Sequence, residues 1–279
     1  MMQSVTEGLA WNSSDKHSLL YHGDCLTAMD SMLKSNPDGC FDMIFADPPY
    51  NLSNGGVTCQ SGMMVPVSKG KWDQSKGVAA DHEFALAWLE RCQGLLKPNG
   101  TIWVSGTLHG IYSIGFAMQQ LGFKLLNDIV WEKPNPPPNL ACRYFTHSTE
   151  IVIWAAKNKK SKHRFNYSDM KEQNGGKQMK SVWQMTAPKK IEKSFGKHPT
   201  QKPVELVLRC IEACTEKGDT VFDPFAGSST TGVAALSLGR KFIGVESEGE
   251  FVDLSTRRLA DLDNNLGEIY GARDGLVAA

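Results

Sequence analysis

The sequence carries no net charge: thirty Lys and Arg balance thirty Asp and Glu across 279 residues. Total charge therefore does not point to a nucleic-acid partner, and any electrostatic footprint must be local. No apolar run approaches the roughly 18 to 20 residues that span a bilayer, so no membrane association is expected. The opening Met1–Gly8 has neither the basic flank nor the apolar core of a secretion signal, and a cytoplasmic location is expected. The seven cysteines, at 25, 40, 59, 92, 142, 210 and 214, contain no CxxC pair. Cys210 and Cys214 lie four apart in a helical pattern but lack the further ligands a zinc site needs. Reduced, mostly buried thiols and no metal are the expectation. Internal repeats are absent too, which excludes a solenoid or propeller. What remains is 41% hydrophobic and 22% charged, an ordinary globular composition, on a chain long enough to bury a core without staples.

The neutral total hides an uneven distribution. Residues 1–154 hold ten basic and fourteen acidic groups, net −4, and residues 203–279 hold seven and thirteen, net −6. Between them, residues 155–202 hold thirteen basic groups against Asp169, Glu172 and Glu192, net +10. A charge run alone is usually a solvated face. This one also contains Phe165, Tyr167, Trp183 and Phe195, which suit stacking or anchoring, and clustered Lys is the footprint expected for phosphate contact.

Strands and helices alternate. Strands are expected at 19–22, 41–46, 101–105, 125–131, 148–154, 220–223 and 241–245, with helices at 26–33, 82–96, 111–121, 204–215, 230–238 and 251–263. Lys97-Pro98-Asn99-Gly100 reads as a turn, residues 51–76 as a long Gly- and Ser-rich loop, and prolines 134 and 136–138 interrupt regular structure. The alternation predicts a doubly wound, mainly parallel α/β sheet. Ligands in such sheets sit at the carboxyl ends of strands.

Two strands end in distinctive chemistry. Asp223-Pro224-Phe225-Ala226-Gly227-Ser228-Ser229-Thr230-Thr231-Gly232 is a small-residue turn from strand to helix, suited to close approach of backbone to a ligand. The next strand ends at Glu246, 23 positions after Asp223, near the spacing at which an acid meets ribose hydroxyls. Neither a dinucleotide fingerprint nor a P-loop is present, which argues against NAD or ATP. The second constellation is Asp47-Pro48-Pro49-Tyr50, directly after an apolar strand. Two prolines remove two N–H donors and stiffen the turn, leaving the Asp47 carboxylate and the Pro48 carbonyl as an acceptor-only edge beside an aromatic ring. Such an edge suits an exocyclic amino group.

Together these motifs resemble the amino-methyltransferases of DNA, in the circularly permuted β group whose catalytic half precedes the cofactor half. The likeness runs from about Leu19 to Leu259 and includes Gly23-Asp24-Cys25, Lys97-Pro98-Asn99-Gly100 and His198-Pro199-Thr200-Gln201-Lys202-Pro203. A narrower likeness, to the adenine methyltransferases of GATC-specific restriction systems, rests on residues 46–56 and 142–150. Some of that group also accept single-stranded DNA. The resemblance implies one methyltransferase domain over 1–279, with 155–202 as a basic target-recognition insertion. It further implies S-adenosylmethionine as methyl donor and DNA as partner; a homodimer stays open. Glu246 would hold the ribose, and Phe225, Gly227, Ser228, Ser229 and Thr230 would line the cofactor site. Asp24 would lie near the cofactor adenine, unless it is simply a helix N-cap, and His198, Thr200 and Lys202 would approach the methionine end.

The same likeness makes Asp47, Pro48, Pro49 and Tyr50 catalytic. The target adenine would be flipped out and stacked on Tyr50, with its two N–H bonds accepted by Asp47 and Pro48 during in-line attack on the methyl group. Asp rather than Ser at 47 favours adenine over cytosine N4, the alternative base. An inactive DNA-binding subunit is the alternative from another class. One position departs from the family pattern: Ser229 stands where Gly is usual, which matters if the backbone there needs φ > 0.

Overall fold

The computed structural model describes residues 8–50, 53, 57–60, 63–66 and 70–269. Along the chain the strands are β1 (Leu9–Asn12), β2 (Leu19–His22), β3 (Phe41–Ala46), β4 (Val57–Gln60), β5 (Met63–Pro66), β6 (Leu96–Gly106), β7 (Lys124–Glu132), β8 (Thr149–Ala156), β9 (Val182–Gln184), β10 (Thr220–Asp223) and β11 (Lys241–Glu246). The helices are α1 (Cys25–Ser35), α2 (Val78–Leu95), α3 (Ile111–Gln120), α4 (Tyr167–Gln173), α5 (Val204–Cys214), α6 (Thr230–Ser237) and α7 (Gly249–Ile269).

The apolar strand β3 shows why the sheet is central. Met43 and Phe45 join the core under α5, α6 and α7, while Ile44 and Ala46 join the core under α1, α2 and α3. Alternate residues thus face opposite helical layers, and both faces are buried, so the strand reads as a continuous apolar run. The β6 strand repeats the pattern, with Trp103 on one side and Ile102 and Val104 on the other. Across the register Trp103 stacks on Trp154 of β8 at 4.7 Å.

The nine-stranded sheet has the order β1-β2-β11-β10-β3-β6-β8-β7-β9. Its centre, β2-β11-β10-β3-β6, is parallel, whereas β1 and β8 pair antiparallel to their inner neighbours. From β3 the chain proceeds to β6 on one side, and from β10 to β11 on the other. The switch point therefore lies between β3 and β10, where a doubly wound sheet opens a crevice at its carboxyl edge. Because β8 runs antiparallel to β6, with Gly106 opposite Ile151, its first residues lie at that same edge.

Several elements depart from the sequence reading. The 51–76 stretch is not simply a loop: its described residues include the β4–β5 hairpin and a short 3-10 turn at Lys71–Asp73, while 51–52, 54–56, 61–62 and 67–69 lie outside the described residues. Lys97–Gly100 is carried within β6 as an irregularity, since the register jumps from Phe41↔Leu96 to Met43↔Thr101. The β1, β9 and α4 elements went unexpected, and α7 extends past 263 to Ile269. Cys142 is exposed, while Cys25, Cys92, Cys210 and Cys214 are buried thiols. Among the described residues no helix is long and apolar enough to cross a membrane.

Candidate active site

Four strands deliver acids to one edge: Asp24 after β2, Asp47 after β3, Asp223 ending β10 and Glu246 ending β11. All four line a single cleft together with Phe225, Gly227, Ser228, Thr230, His198, Thr200, Lys202 and Pro49. The structure thus brings together motifs that lie as far apart as Asp24 and Glu246 in sequence. Trp72 forms part of the wall, its ring 6.0 Å from that of His198, which in turn meets Phe251 edge-on at 4.2 Å.

One half of the cleft is built from backbone. Glu246 Oε2 accepts the Gly227 N–H at 2.6 Å and Oε1 accepts the Glu248 N–H at 2.9 Å, so backbone donors fix the carboxylate in place. Gly227 adopts φ +52°, and a Cβ there would come 3.2 Å from the His198 ring. Ser255 donates to the Gly227 carbonyl at 2.7 Å and buried Arg258 to the Ser228 carbonyl, tying the turn to α7. Asp223 accepts the Phe225 N–H at 2.9 Å and the Thr231 hydroxyl at 2.5 Å. Burial pushes the Asp223 carboxyl up to about 7, and burial also raises Glu246. Asp24 caps α1, accepting the Thr27 N–H at 2.9 Å, and lines the cleft as well.

Ser229 does not line the cleft. It is buried behind the turn in the left-handed region, φ 52° and ψ 39°, with its hydroxyl unpaired. A side chain in that conformation costs about 1–2 kcal/mol relative to glycine, partly offset by the greater freedom of glycine in the unfolded chain. Ser229→Gly is therefore expected to raise stability by about 1 kcal/mol, read as a higher urea midpoint at unchanged slope. An unchanged or lower midpoint would contradict the strain argument.

The other half is a buried charge cluster. Lys202 Nζ donates to Asp47 Oδ2 at 2.7 Å and to the Thr200 carbonyl at 3.3 Å. The Tyr50 hydroxyl donates to Asp47 Oδ1 at 2.5 Å and lies 3.1 Å from Ser105 Oγ. Glu150, at the start of β8, has Oε2 3.3 Å from the Tyr50 hydroxyl and 3.6 Å from Lys202 Nζ, while its Oε1 is held by Lys133. Two carboxylates and two ammonium groups thus balance. Burial pushes Asp47 up, and the Lys202 ammonium opposes that rise. Burial would likewise raise Glu150, but Lys202 and Lys133 together hold it below the usual range. Lys202 is raised, because Asp47 and Glu150 outweigh the burial that would lower it.

Besides Ser229, three sequence expectations change here. Lys202, expected at the methionine end, reaches across the cleft floor to Asp47 instead. The Tyr50 ring is only 7% exposed and lies under Lys202 Nζ at 4.8 Å, so its face is not open for a base in this state. Pro48 is buried beside it. Trp183, read as an anchor in the basic segment, packs in the core against Trp103. Sequence reasoning missed Glu150, Lys133 and Ser105 as members of the cluster. Nothing local marks them as members of this cluster. Glu150 reaches the edge because β8 runs antiparallel to β6 and starts there, Lys133 follows the end of β7, which runs antiparallel to β8, and Ser105 lies near the end of β6 itself.

A switch-point cleft with Glu246 on one side and an Asp-Pro-Pro-Tyr edge on the other is the layout of a nucleoside-cofactor methyltransferase that acts on amino groups. The comparisons agree. A family model described as DNA methylase, N6_N4_Mtase, matches residues 41–257, and the chain belongs to this DNA methylase family. It is 53% identical over 242 residues to the type II methyltransferase M2.DpnII of Streptococcus pneumoniae, covering 86% of this chain and 89% of that one. It is 48% identical over 252 residues to the type II methyltransferase M2.MboI of Moraxella bovis, covering 90% and 91%. Among solved structures, M1.HpyAVI in complex with SAM aligns with a TM-score of 0.66 at 30% identity, covering 86% of this chain and 98% of that one. The cytosine-N4-specific PvuII DNA methyltransferase shares the fold, with a TM-score of 0.71 at 21% identity over 96% and 95% of the two chains.

Proposed function

We propose that the chain transfers the methyl group of S-adenosylmethionine to N6 of adenine in DNA, at GATC sites, in the cytoplasm and within a restriction-modification system. The observation that carries this reading is the placement of Asp47 and Glu246 in one cleft at the β3–β10 switch point. The cofactor fits the residues present. Backbone donors fix Glu246 at the end of β11, Gly227 leaves room where a Cβ would close on His198, and burial raises both Asp223 and Glu246, which favours a cationic ligand beside them. When bound, the cofactor supplies an electrophilic methyl group on a sulfonium.

The chain's own part is positioning and electrostatics. Asp47 and the Pro48 carbonyl accept the two N–H bonds of the target amino group, which localises the nitrogen lone pair and stabilises the positive charge developing on it. The target must leave the base stack to reach this floor. No thiol is required: Cys25, in the cleft wall, is pushed by burial up to about 12 and stays protonated.

Because Asp223 sits near 7 rather than its ordinary 3.8, a cationic ligand arriving beside it favours the carboxylate. Cofactor binding then releases protons below that pH. Affinity should rise as pH increases toward about 7 and level off above it. Calorimetry in buffers of different ionisation enthalpy reads the released protons directly; pH-independent binding with no proton release would contradict it.

The basic segment supports the DNA reading, since ten of its thirteen Lys and Arg are exposed, and only Lys157, Lys193 and Lys202 are drawn inward. Phe165 and Tyr167 are exposed as well, at 46% and 44%. Neutralising Lys190 and Lys197 together should weaken binding to every DNA sequence alike and flatten the salt dependence by about 0.9 in slope per lost phosphate contact. An unchanged slope would remove these two from the interface.

The direct test is labelled methyl transfer to duplexes that differ only in whether they contain GATC, with the same strands offered singly. Transfer confined to GATC supports the assignment, and label in single strands extends it. Equal transfer to the scrambled duplex would refute site specificity.

A further inference from the structure

Asp47 is not free in this structure. The Tyr50 hydroxyl occupies Oδ1 and the Lys202 ammonium occupies Oδ2. An incoming amino group needs this carboxylate, and an ammonium held on it opposes the positive charge that develops on the attacking nitrogen. Both blocking groups share one alternative acceptor. Glu150 Oε2 lies 3.3 Å from the Tyr50 hydroxyl and 3.6 Å from Lys202 Nζ, so shifts of about an ångström complete either contact at ordinary hydrogen-bond length. The carboxylate is fixed in place, because Lys133, at the end of β7, holds the other oxygen, and Glu150 is buried with them.

We propose that Glu150 is a positioning residue that takes Lys202 and the Tyr50 hydroxyl from Asp47 when the target amino group docks, and so frees Asp47 to receive it. The inference rests on the reading of Asp47 as the amino-group acceptor. It gives the cluster two arrangements with the same charge. In one, Lys202 and Tyr50 rest on Asp47; in the other they rest on Glu150 while Asp47 faces the base. Lys202 bridges both without leaving the Thr200 carbonyl, which already accepts another of its protons.

The test compares binding of two duplexes by the full-length chain with an unreactive S-adenosylmethionine analogue present. One carries adenine at the target position; the other carries purine, which lacks the 6-amino group. The wild-type chain should favour adenine about tenfold, the size of one charge-assisted hydrogen bond. Glu150→Gln should reduce that preference to about twofold or less, and lower kcat more than KM, because a neutral amide cannot hold the ammonium. Glu150→Asp, which keeps the charge but pulls it back from both donors, should fall between. It also serves as the second variant should Glu150→Gln not fold, with analogue affinity and melting temperature as the check.

If Glu150→Gln weakens both duplexes equally, or leaves the preference at the wild-type value, Glu150 has only a structural role and the proposal fails. If the wild-type chain itself shows no preference for adenine over purine, the reading of Asp47 fails instead. The two failures are therefore distinct.

Discussion

Asp47→Ala is expected to lower the rate of methyl transfer by at least about 10³-fold while leaving cofactor affinity within a few-fold of wild type. The cleft has two separate halves. Asp47 belongs to the charge cluster with Lys202, Tyr50 and Glu150, whereas Glu246, proposed to hold the ribose, is fixed by Gly227 and Glu248 on the other side. Removing Asp47 takes away the acceptor that stabilises charge on the attacking nitrogen and touches none of those backbone contacts. It also takes the nearer carboxylate from Lys202, but Glu150 stands 3.6 Å away and can accept the ammonium. The fold should therefore survive, where an uncompensated buried charge would cost about 3–5 kcal/mol. A variant that binds cofactor and transfers methyl at the wild-type rate would remove Asp47 from the chemistry.

Glu246→Ala is expected to give the converse result: cofactor affinity falls about 100-fold or more, and transfer is recovered in part at saturating cofactor. A carboxylate that accepts two hydroxyl protons contributes roughly 1.5–3 kcal/mol for each charge-assisted bond. The substitution also releases the Gly227 and Glu248 N–H groups that Glu246 orients, so the turn that walls the cofactor side loosens. Equilibrium dialysis against labelled cofactor reads the loss directly. Wild-type affinity in this variant would place the cofactor elsewhere. Together the two substitutions separate the halves of the cleft, since one acts on rate at constant binding and the other on binding.

Much of this arrangement was legible in the sequence because its determinants are local. The β3 and β10 strands end where the sequence reading stops them, β11 runs on one residue to the Glu246 carboxylate, and each leads straight to an acid that lines the cleft. The concern over Ser229 was also local, and the backbone there does adopt the left-handed conformation that a glycine would prefer.

What escaped is what only the assembled sheet creates. Nothing local marks Glu150 and Lys133 as members of the cluster; they come to the Asp47 edge because β8, antiparallel to β6, starts there and β7, antiparallel to β8, ends there. Lys202 sits in a motif expected at the methionine end of the cofactor, yet the direction its side chain takes depends on two carboxylates, from the ends of β3 and β8. Trp183 looked like a surface anchor because its neighbours are charged, but β9 adds it to the sheet edge beside β7 and turns it inward. The β4–β5 hairpin escaped because two strands of four residues leave almost no periodicity to read.

The measurement that tests the central claim most directly is the identity of the methylated nucleoside. Unmethylated DNA incubated with the protein and labelled S-adenosylmethionine is digested to nucleosides and separated. The expected result is label in N6-methyladenine with the wild-type chain, and none there with Asp47→Ala although that variant still binds the labelled cofactor. Label in N4-methylcytosine, or in N6-methyladenine at the wild-type rate without Asp47, would contradict it.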